Sequence, residues 1–400
     1  MMNRKIFAAI LMMIFAASCA HSYSGGNGTE ADPYTIAAPD DLAQIDGEAY
    51  YAIMDNITLP EDWETIPAFS GHLDGNDHTI TVKDSVLFGT VRGSIEALRI
   101  DGSISRAGGV GGIALELCGG TIDGCTVSAD IEGTKSGEDT HADSGGIVSV
   151  MRSGAITNCN VQGKIRVEGV TFPRTGGITA LMYGGKIISC SVTGEIESNG
   201  DSAIAGGIAG QANISPDMGI SECTFSGKVI STRYAGGITG HLRGGKITNN
   251  NIIAGSEVSG AYLSGGIVGK IAETASLSGN TYTGASYGIG ENEDGIPSDE
   301  GCTRITEEDT QGESSNDGEQ PKGTQESPVE DNEQPKETQK DNETANDDTQ
   351  GQPVTEEQED STDTTAGNSN ASGSGGGGCN TGIGFMIAYV LSARRFFARK

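Results

Sequence analysis

Hydrophobic and polar positions alternate along most of residues 101 to 290, and a Gly-Gly-Ile triplet interrupts the alternation at regular steps. The triplet recurs every 29 to 34 residues, beginning at Gly111, Gly145, Gly176, Gly206, Gly236 and Gly265. Period-two alternation rich in β-branched residues predicts strands, and glycine pairs predict tight turns between them. A fixed period of this size is typical of a solenoid, in which each repeat contacts only its neighbours.

A second pattern lies inside each repeat, where an apolar residue is followed three positions later by Cys or Asn. The pairs are Ile122/Cys125, Ile156/Cys159, Ile187/Cys190, Ile220/Cys223, Ile247/Asn250 and Leu277/Asn280. Two or three short strands in each repeat fit an all-β, right-handed parallel β-helix. In that fold each strand pairs with its equivalent one turn on, about 4.8 Å away, so equal positions stack in columns.

Two columns of charged residues alternate in sign from repeat to repeat. They lie five and seven positions after the Cys: Asp130, Lys164, Glu195 and Lys228, then Glu132, Arg166, Glu197 and the uncharged Ile230. Opposite charges on neighbouring strands contribute roughly 0.2–1 kcal/mol each. We therefore predict a solvated structural ladder, and a catalytic role for Glu195 or Glu197 is the weaker alternative.

Eight cysteines occur, at positions 19, 118, 125, 159, 190, 223, 302 and 379. Four of them share one column, which continues as Asn250 and Asn280. An exported chain would prompt a disulfide interpretation, but stacked Cβ atoms about 4.8 Å apart point the same way, whereas a disulfide needs about 3.8 Å. We predict a buried stack of thiols. Metal binding is the weaker alternative, because the sequence near these residues has no Cys-x-x-Cys motif and no neighbouring His.

The repeats resemble the GLUG-type repeat family of bacterial surface proteins. The residues that carry this resemblance are Gly-Gly-Ile and Gly-Gly-Lys-Ile-Ile-Ser-Cys-Ser-Val-Thr-Gly at 184 to 194. The segment from Tyr23 to Tyr34 and the turn Asp74-Gly75-Asn76-Asp77 are also similar to that family, with Asp77 in place of its usual Gly. The resemblance implies the fold and an exported location, and it implies no single activity.

The N-terminus has the pattern of an export signal. Arg4 and Lys5 precede an apolar run from Ile6 to Ala17, and small residues follow. An ordinary signal peptidase cut near His21 or Tyr23 is favoured. The alternative is a lipobox-like signal, which would make Cys19 the lipid-modified residue.

A strongly acidic run follows the repeats. It holds 20 acidic and 3 basic residues between Glu307 and Asp363, and the whole chain has a formal charge of −30. Thr306 to Gly382 contains no large hydrophobic residue except valine, so we predict a disordered stalk. Such acidity argues against binding nucleic acid or anionic lipid.

The C-terminus has the order spacer, cysteine, apolar segment and basic tail. Gly-Gly-Gly-Gly-Cys-Asn-Thr-Gly-Ile-Gly at 375 to 384 resembles the core of the Synergist-type C-terminal sorting domain, from which Thr381 and Ile383 depart. The resemblance implies cutting by a membrane sorting protease near Gly378 and Cys379, with Cys379 processed or lipid-modified. The apolar run is short for a membrane span, and a plain tail anchor is the alternative.

These observations divide the chain into six predicted segments. They are a signal peptide (1–22), an N-terminal cap with first rungs (23–100), GLUG-like repeats (101–290), a C-terminal cap (291–306), an acidic stalk (307–378) and a sorting or membrane segment (379–400).

The predicted function is that of a non-enzymatic protein of the cell surface, without cofactors, which serves adhesion, ligand binding or envelope structure. Its partner would be an extracellular glycan or protein. The alternative is an exported polysaccharide lyase or glycoside hydrolase, which needs clustered carboxylates. Glu138, Asp139 and Asp143 with His141 form the best such cluster, although a solvated loop is favoured. If the chain has a binding site, we expect it at the insertions 136–144, 170–175 and 211–218, which follow different repeat anchors and need not share a face.

Overall fold

The computed structural model describes residues 23–306 except 139, 273 and 292–294, and in this part of the chain the strands form three parallel sheets. We call them the wide sheet of 17 strands, the middle sheet of 11 strands and the narrow sheet of 6 strands. The strands stack as a parallel β-solenoid, which confirms the predicted fold class. The predicted signal peptide, acidic stalk and sorting segment, with Cys19, Gly378 and Cys379, lie outside the described residues.

The first elements precede the Gly-Gly-Ile repeats. They are β1 (Tyr34–Ile36), α1 (Pro39–Leu42), β2 (Tyr50–Ile53), β3 (Ile57–Thr58), β4 (Ile66–Phe69), β5 (His72–Asp74), β6 (Thr79–Lys83), β7 (Phe88–Val91), β8 (Ser94–Glu96) and β9 (Arg99–Ala107).

The repeat region follows without a break in the stacking. Its first strands are β10 (Val110–Gly111), β11 (Ala114–Asp123), β12 (Thr126–Thr134), β13 (His141–Gly145), β14 (Val148–Thr157), β15 (Asn160–Val167), β16 (Phe172–Gly176), β17 (Thr179–Met182), β18 (Lys186–Ile188), β19 (Ser191–Ser198), β20 (Ile204–Gly206), β21 (Ala209–Ala212) and β22 (Gly219–Ser221). The remaining strands are β23 (Thr224–Ser231), β24 (Tyr234–Gly236), β25 (Thr239–Leu242), β26 (Gly245–Thr248), β27 (Asn251–Ile252), β28 (Glu257–Gly260), β29 (Leu263–Gly265), β30 (Val268–Ile271), β31 (Ala275–Ser278), β32 (Asn280–Tyr282), β33 (Ile289–Glu291) and β34 (Cys302–Arg304).

Each full rung follows the same path through the three sheets. In one rung, β16 lies in the narrow sheet, β17 and β18 in the wide sheet, and β19 in the middle sheet. The predicted columns are the observed register, because Ile156 pairs with Ile187 and Val161 with Val192. These side chains are at most 1% exposed and form the interior of the solenoid.

The Gly-Gly-Ile triplet forms the corner between the narrow and wide sheets. A Cβ added to Gly207 would lie 2.0 Å from the carbonyl oxygen of Gly237 and 2.7 Å from the ring of Phe225. The equivalent Gly177 meets the Gly207 oxygen at the same 2.0 Å, so the requirement recurs from rung to rung. The isoleucine after each pair is fully buried. Glycine is required here because backbone of the next rung and a core side chain occupy the space.

The Cys column forms the corner between the wide and middle sheets. Its four thiols are free and buried. Each donates to a carbonyl oxygen of the preceding rung, as Cys190 does to Ile156 at 3.7 Å, and the Asn250 amide donates to Ile220 at 3.1 Å in the same way. The Asn250 amide also donates to the Asn280 side-chain oxygen at 3.0 Å. Thiol and amide are therefore interchangeable in this column as short donors to the rung below.

The Cys column has one further member that its sequence spacing does not indicate. Cys302 pairs in register with Asn280 and so continues the column onto the last rung. Burial raises the pKa of its thiol to about 12, so the thiolate that would be reactive is disfavoured.

The charged ladder on the middle sheet is confirmed. Lys164 lies 2.9 Å from Glu197 and 3.4 Å from Glu195, while Arg166 lies 2.9 Å from Glu132. Lys228 pairs instead with Glu257, 3.3 Å away on the following rung. The Lys164 hydrogen bond lowers the pKa of Glu197. These carboxylates therefore serve as ion-pair partners between rungs.

Both ends of the solenoid are closed by irregular chain. At the start, α1 buries Leu42, and Asp41 accepts hydrogen bonds from Ser24 and from the amide of Ala37. At the end, the bridge between Ile289 and Ser298 folds the chain back over the last rung.

The segment Asp74-Gly75-Asn76-Asp77 forms a tight turn, as predicted. Asn76 and Asp77 both have positive φ, and the amide of His78 donates to the Gly75 oxygen at 2.8 Å. Arg99 forms an ion pair with Asp77 at 2.8 Å. The turn is thus held to the next rung by this arginine.

Replacing Gly207 by alanine is expected to lower the free energy of unfolding by about 3 kcal/mol or more, because the new methyl group meets the backbone of the next rung. The matched control is Gly255→Ala, where φ is +88° but no atom lies within 4 Å. That control should cost only about 1 kcal/mol of backbone strain. Urea unfolding followed by circular dichroism measures both, and equal losses would contradict the close-approach argument.

Candidate functional site

A cleft with a volume of about 350 Å³ lies along the corner between the narrow and wide sheets. We call it the basic cleft. It is lined by His141, Phe172, Arg174, Ser202, Ile204, Gln211, Arg233, Tyr234, His241, Arg243 and Lys270. Four of these residues are Arg or Lys and none is Asp or Glu, in a chain whose formal charge is −30.

Two columns of stacked side chains form the walls of the cleft. On the narrow sheet Arg174, Ile204 and Tyr234 pair in register on successive rungs. On the wide sheet Gln211, His241 and Lys270 do the same, each three positions after a Gly-Gly-Ile isoleucine. Because the Gly-Gly-Ile corner joins the two sheets, both columns border the same cleft.

A run of glycines lies between the two walls. A Cβ on Gly240 would come within 2.6 Å of the Ala205 oxygen, and one on Gly269 within 2.7 Å of the Ala235 oxygen. The narrow sheet therefore packs on backbone rather than on side chains at these positions. The same packing brings the two walls close together.

The cations of the cleft fall into two groups. Arg174 makes two hydrogen bonds to Asp143, at 2.7 and 3.1 Å, and Lys270 lies 2.7 Å from Glu291. Arg233 instead donates to the Ser202 hydroxyl at 2.9 Å. In the described part of the chain, neither Arg233 nor Arg243 has a carboxylate within ion-pair distance.

Aromatic rings hold these cations in place. The Arg233 guanidinium lies 4.8 Å from the centre of the Tyr234 ring, and the Lys270 ammonium lies 5.7 Å from it. At the other end of the cleft, His141 stacks on Phe172 with ring centres 4.9 Å apart, and Phe172 is 40% exposed. The cleft thus offers an accessible ring beside a set of positive charges.

His241 is the titratable group most affected by this environment. Burial lowers the pKa of its imidazole to about 4, and the positive charges of Arg243, Lys270 and Arg233 act in the same direction. The Tyr234 ring lies edge-on to it, with ring centres 5.7 Å apart. His241 is therefore neutral at pH 7.

Two of the three insertions named from the sequence share a face. His141 comes from the first insertion and Phe172 with Arg174 from the second, and all three residues line the basic cleft. Of the third insertion only the strand residue Gln211 lines it, whereas Ile214 and Met218 lie between β21 and β22 and pack on the core. Arg233, His241, Arg243 and Lys270 were not singled out in the sequence. All four residues lie within a few positions of a Gly-Gly-Ile triplet. This spacing could have identified them as cleft residues only if the corner had been known to be concave.

The predicted acidic cluster is not assembled as a group. Asp143 is engaged by Arg174 and His141 stacks on Phe172, while Glu138 is exposed and Asp139 lies outside the described residues. Across the described ranges, no group of three or more His, Cys, Asp or Glu side chains could hold a metal ion. Trp63 packs against the core and Phe69 is buried, so both aromatic side chains of the first rungs serve the interior.

Comparison with known proteins does not assign a family to this chain. No family model matches the chain, and no curated protein matches it. Among solved structures, it is similar to a crystal structure from Bacteroides ovatus described as a candidate immunoglobulin A1 protease. That similarity has 18% identity and a TM-score of 0.48, and it covers 72% of this chain and 88% of the other. Within the described residues, no helix has the length and hydropathy of a membrane span.

Acidification should destabilise the fold through His241. Its pKa is about 4 in the folded chain, against about 6.5 when unfolded, so protons favour the unfolded state as the pH falls through this window. Between pH 7 and pH 5 the wild type should lose about 1–2 kcal/mol more than His241→Gln.

Urea unfolding at the two pH values measures this difference. His78→Gln, in the first rungs, controls for the loss of an imidazole elsewhere. An equal loss in the wild type and in His241→Gln would show that His241 is not protected from protonation in the folded chain.

Proposed function

We propose that this chain is an exported, surface-anchored binding protein without catalytic activity, and that the basic cleft is its recognition site. The observation that carries the proposal is the pair of arginines, Arg233 and Arg243, that border the cleft without a carboxylate partner in the described part of the chain. Loops and edges on a rigid solenoid are common places for recognition. The volume of about 350 Å³ lies in the range of small-ligand sites.

Export and anchoring are proposed from the ends of the sequence. The signal-like N-terminus, the acidic run and the Gly378-Cys379 junction support a protein that is carried out of the cytoplasm and processed near its C-terminus. The resemblance to the GLUG-type repeat family and to the Synergist-type sorting domain supports the same location. We propose a sorting protease and the membrane as partners of this C-terminal segment.

A hydrolase is less well supported than a binding protein. Glycoside hydrolysis uses two carboxylates, one of them with a raised pKa. The glutamates of the ladder are ion-paired, and the pKa of Glu197 is lowered rather than raised. The basic cleft, which offers the better binding geometry, is lined by no carboxylate.

Binding through the cleft can be tested without knowing the ligand class. The purified chain is applied to an array that carries neutral glycans, acidic glycans and peptides. Wild type should bind at least one class, and Arg233→Gln/Arg243→Gln should bind it about tenfold more weakly or less, because charge-assisted hydrogen bonds are lost.

The matched control is Lys186→Gln/Lys246→Gln, which removes two positive charges from exposed positions outside the cleft. Binding that is equally strong in the arginine variant, or an array with no bound ligand, would contradict the proposal. Chemical conversion of a bound glycan would contradict the absence of catalytic activity.

Processing of the C-terminus can be measured by mass spectrometry of the protein from cell envelopes. We expect a C-terminal peptide that ends at or near Cys379 and lacks the basic tail. An intact terminus at Lys400 would contradict sorting and would indicate a retained tail anchor. Replacement of Cys379 by Ala is the matched variant and should leave the chain unprocessed.

A further inference from the structure

The charges of the basic cleft restrict the ligand to an anion. Arg233 and Arg243 have no carboxylate partner in the described part of the chain, whereas Arg174 and Lys270 at the two sides are ion-paired with Asp143 and Glu291. Placing like charges together is unfavourable, and an anion in the cleft would offset that cost. A neutral or cationic ligand would cover the half-buried Arg233 and the exposed Arg243 without pairing them, and it would desolvate both charges at a cost.

The neighbouring rings distinguish among anions. Phe172 lines one end of the cleft and is 40% exposed, and Tyr262, which lies outside the lining, is 67% exposed next to the ring of Tyr234. Flat apolar faces next to polar groups suit a sugar ring, which has an apolar face and a polar edge. A simple inorganic anion would use the arginines and leave the rings without a role.

The length of the cleft distinguishes a saccharide from a peptide. The lining residues of the narrow sheet come from four successive rungs, at β13, β16, β20 and β24, and therefore span three steps between rungs. At about 4.8 Å for each step, the cleft is roughly 14 Å long. The step is close to the length of one sugar unit, whereas an extended peptide advances about 3.4 Å for each residue. Lining side chains that recur at the spacing of the rungs therefore match successive sugars better than successive amino acids.

We infer that the basic cleft binds a short acidic saccharide, two or three units long, whose carboxylate or sulfate group pairs with Arg233 and Arg243 while a sugar ring packs on Phe172. This inference rests on the proposed binding function and specifies its ligand class. The neutral His241 lies between the two walls and can donate or accept one hydrogen bond without adding a charge to be paired.

The inference is tested by titration calorimetry of the full-length chain with defined probes. The probes are an oligogalacturonate trimer, its methyl ester, a heparin-derived trisaccharide, and an oligo-glutamate peptide of equal charge. We expect binding of the trimer or the heparin fragment and at least tenfold weaker binding of the methyl ester. Preference between the two acidic sugars tells whether a carboxylate or a sulfate is recognised.

Two variants separate the roles of charge and ring. Arg233→Gln/Arg243→Gln should weaken binding of the acidic saccharide about tenfold or more. Phe172→Ala, which removes the exposed ring but no charge, should weaken it several-fold and should leave any residual peptide binding unchanged. Lys186→Gln/Lys246→Gln serves again as the charge control.

The outcomes separate this inference from the proposed function. If oligo-glutamate, which also represents the chain's own acidic run, binds as tightly as the saccharides and depends on the arginines, the cleft is a binding site but its ligand is an acidic peptide. Equal binding of the methyl ester would overturn the role of charge. If no probe binds and the array is also empty, both the inference and the proposed function fail.

Discussion

The structure depends on the close approach of backbone to backbone at the Gly-Gly-Ile corner. At Gly177, Gly207 and Gly237 a Cβ would lie about 2 Å from the backbone oxygen of the next rung. Because no side chain fits there, the narrow sheet can fold back onto the wide sheet, and the following isoleucine is driven into the core. The same close approach fixes the register between neighbouring rungs at this corner. The columns of polar and apolar side chains that follow the corner along each rung are aligned by it.

Much of this architecture could be predicted because, in a solenoid, residues one repeat apart in the sequence are neighbours on adjacent rungs. The charged ladder is an example, since the offsets alone pair Lys164 with Glu195, as the structure does. The structure pairs Glu197 with Lys164 as well, and not with its neighbour in register, Arg166. The role of Asn250 in the Cys column could be anticipated in the same way. The direction of the chain at each corner could not be predicted. The repeat period tells which residues stack on the rungs above and below, but it does not tell which columns face each other across a corner.

The basic cleft was missed for that reason. Arg174 and His241 lie 67 residues apart in sequence and in different sheets, yet both line one cleft. The insertions 136–144 and 170–175 follow different repeat anchors, and the concave corner brings residues of both to one face. Overall composition was also misleading, because the formal charge of −30 conceals a local surface without a lining carboxylate.

Paired and unpaired charges separate the two polar surfaces of the solenoid. On the middle sheet the ladder places opposite charges on neighbouring strands, so these charges are balanced within the protein. In the basic cleft, His241 is half-buried among three cations that oppose its protonation, and two arginines have no described carboxylate partner. A stacked β fold could relieve this repulsion by placing one acidic residue in either wall. Among the described residues, those that line the two walls include no such acidic residue. Uncompensated positive charge lowers the stability of the fold, and such a cost is expected where the charge serves to bind a ligand.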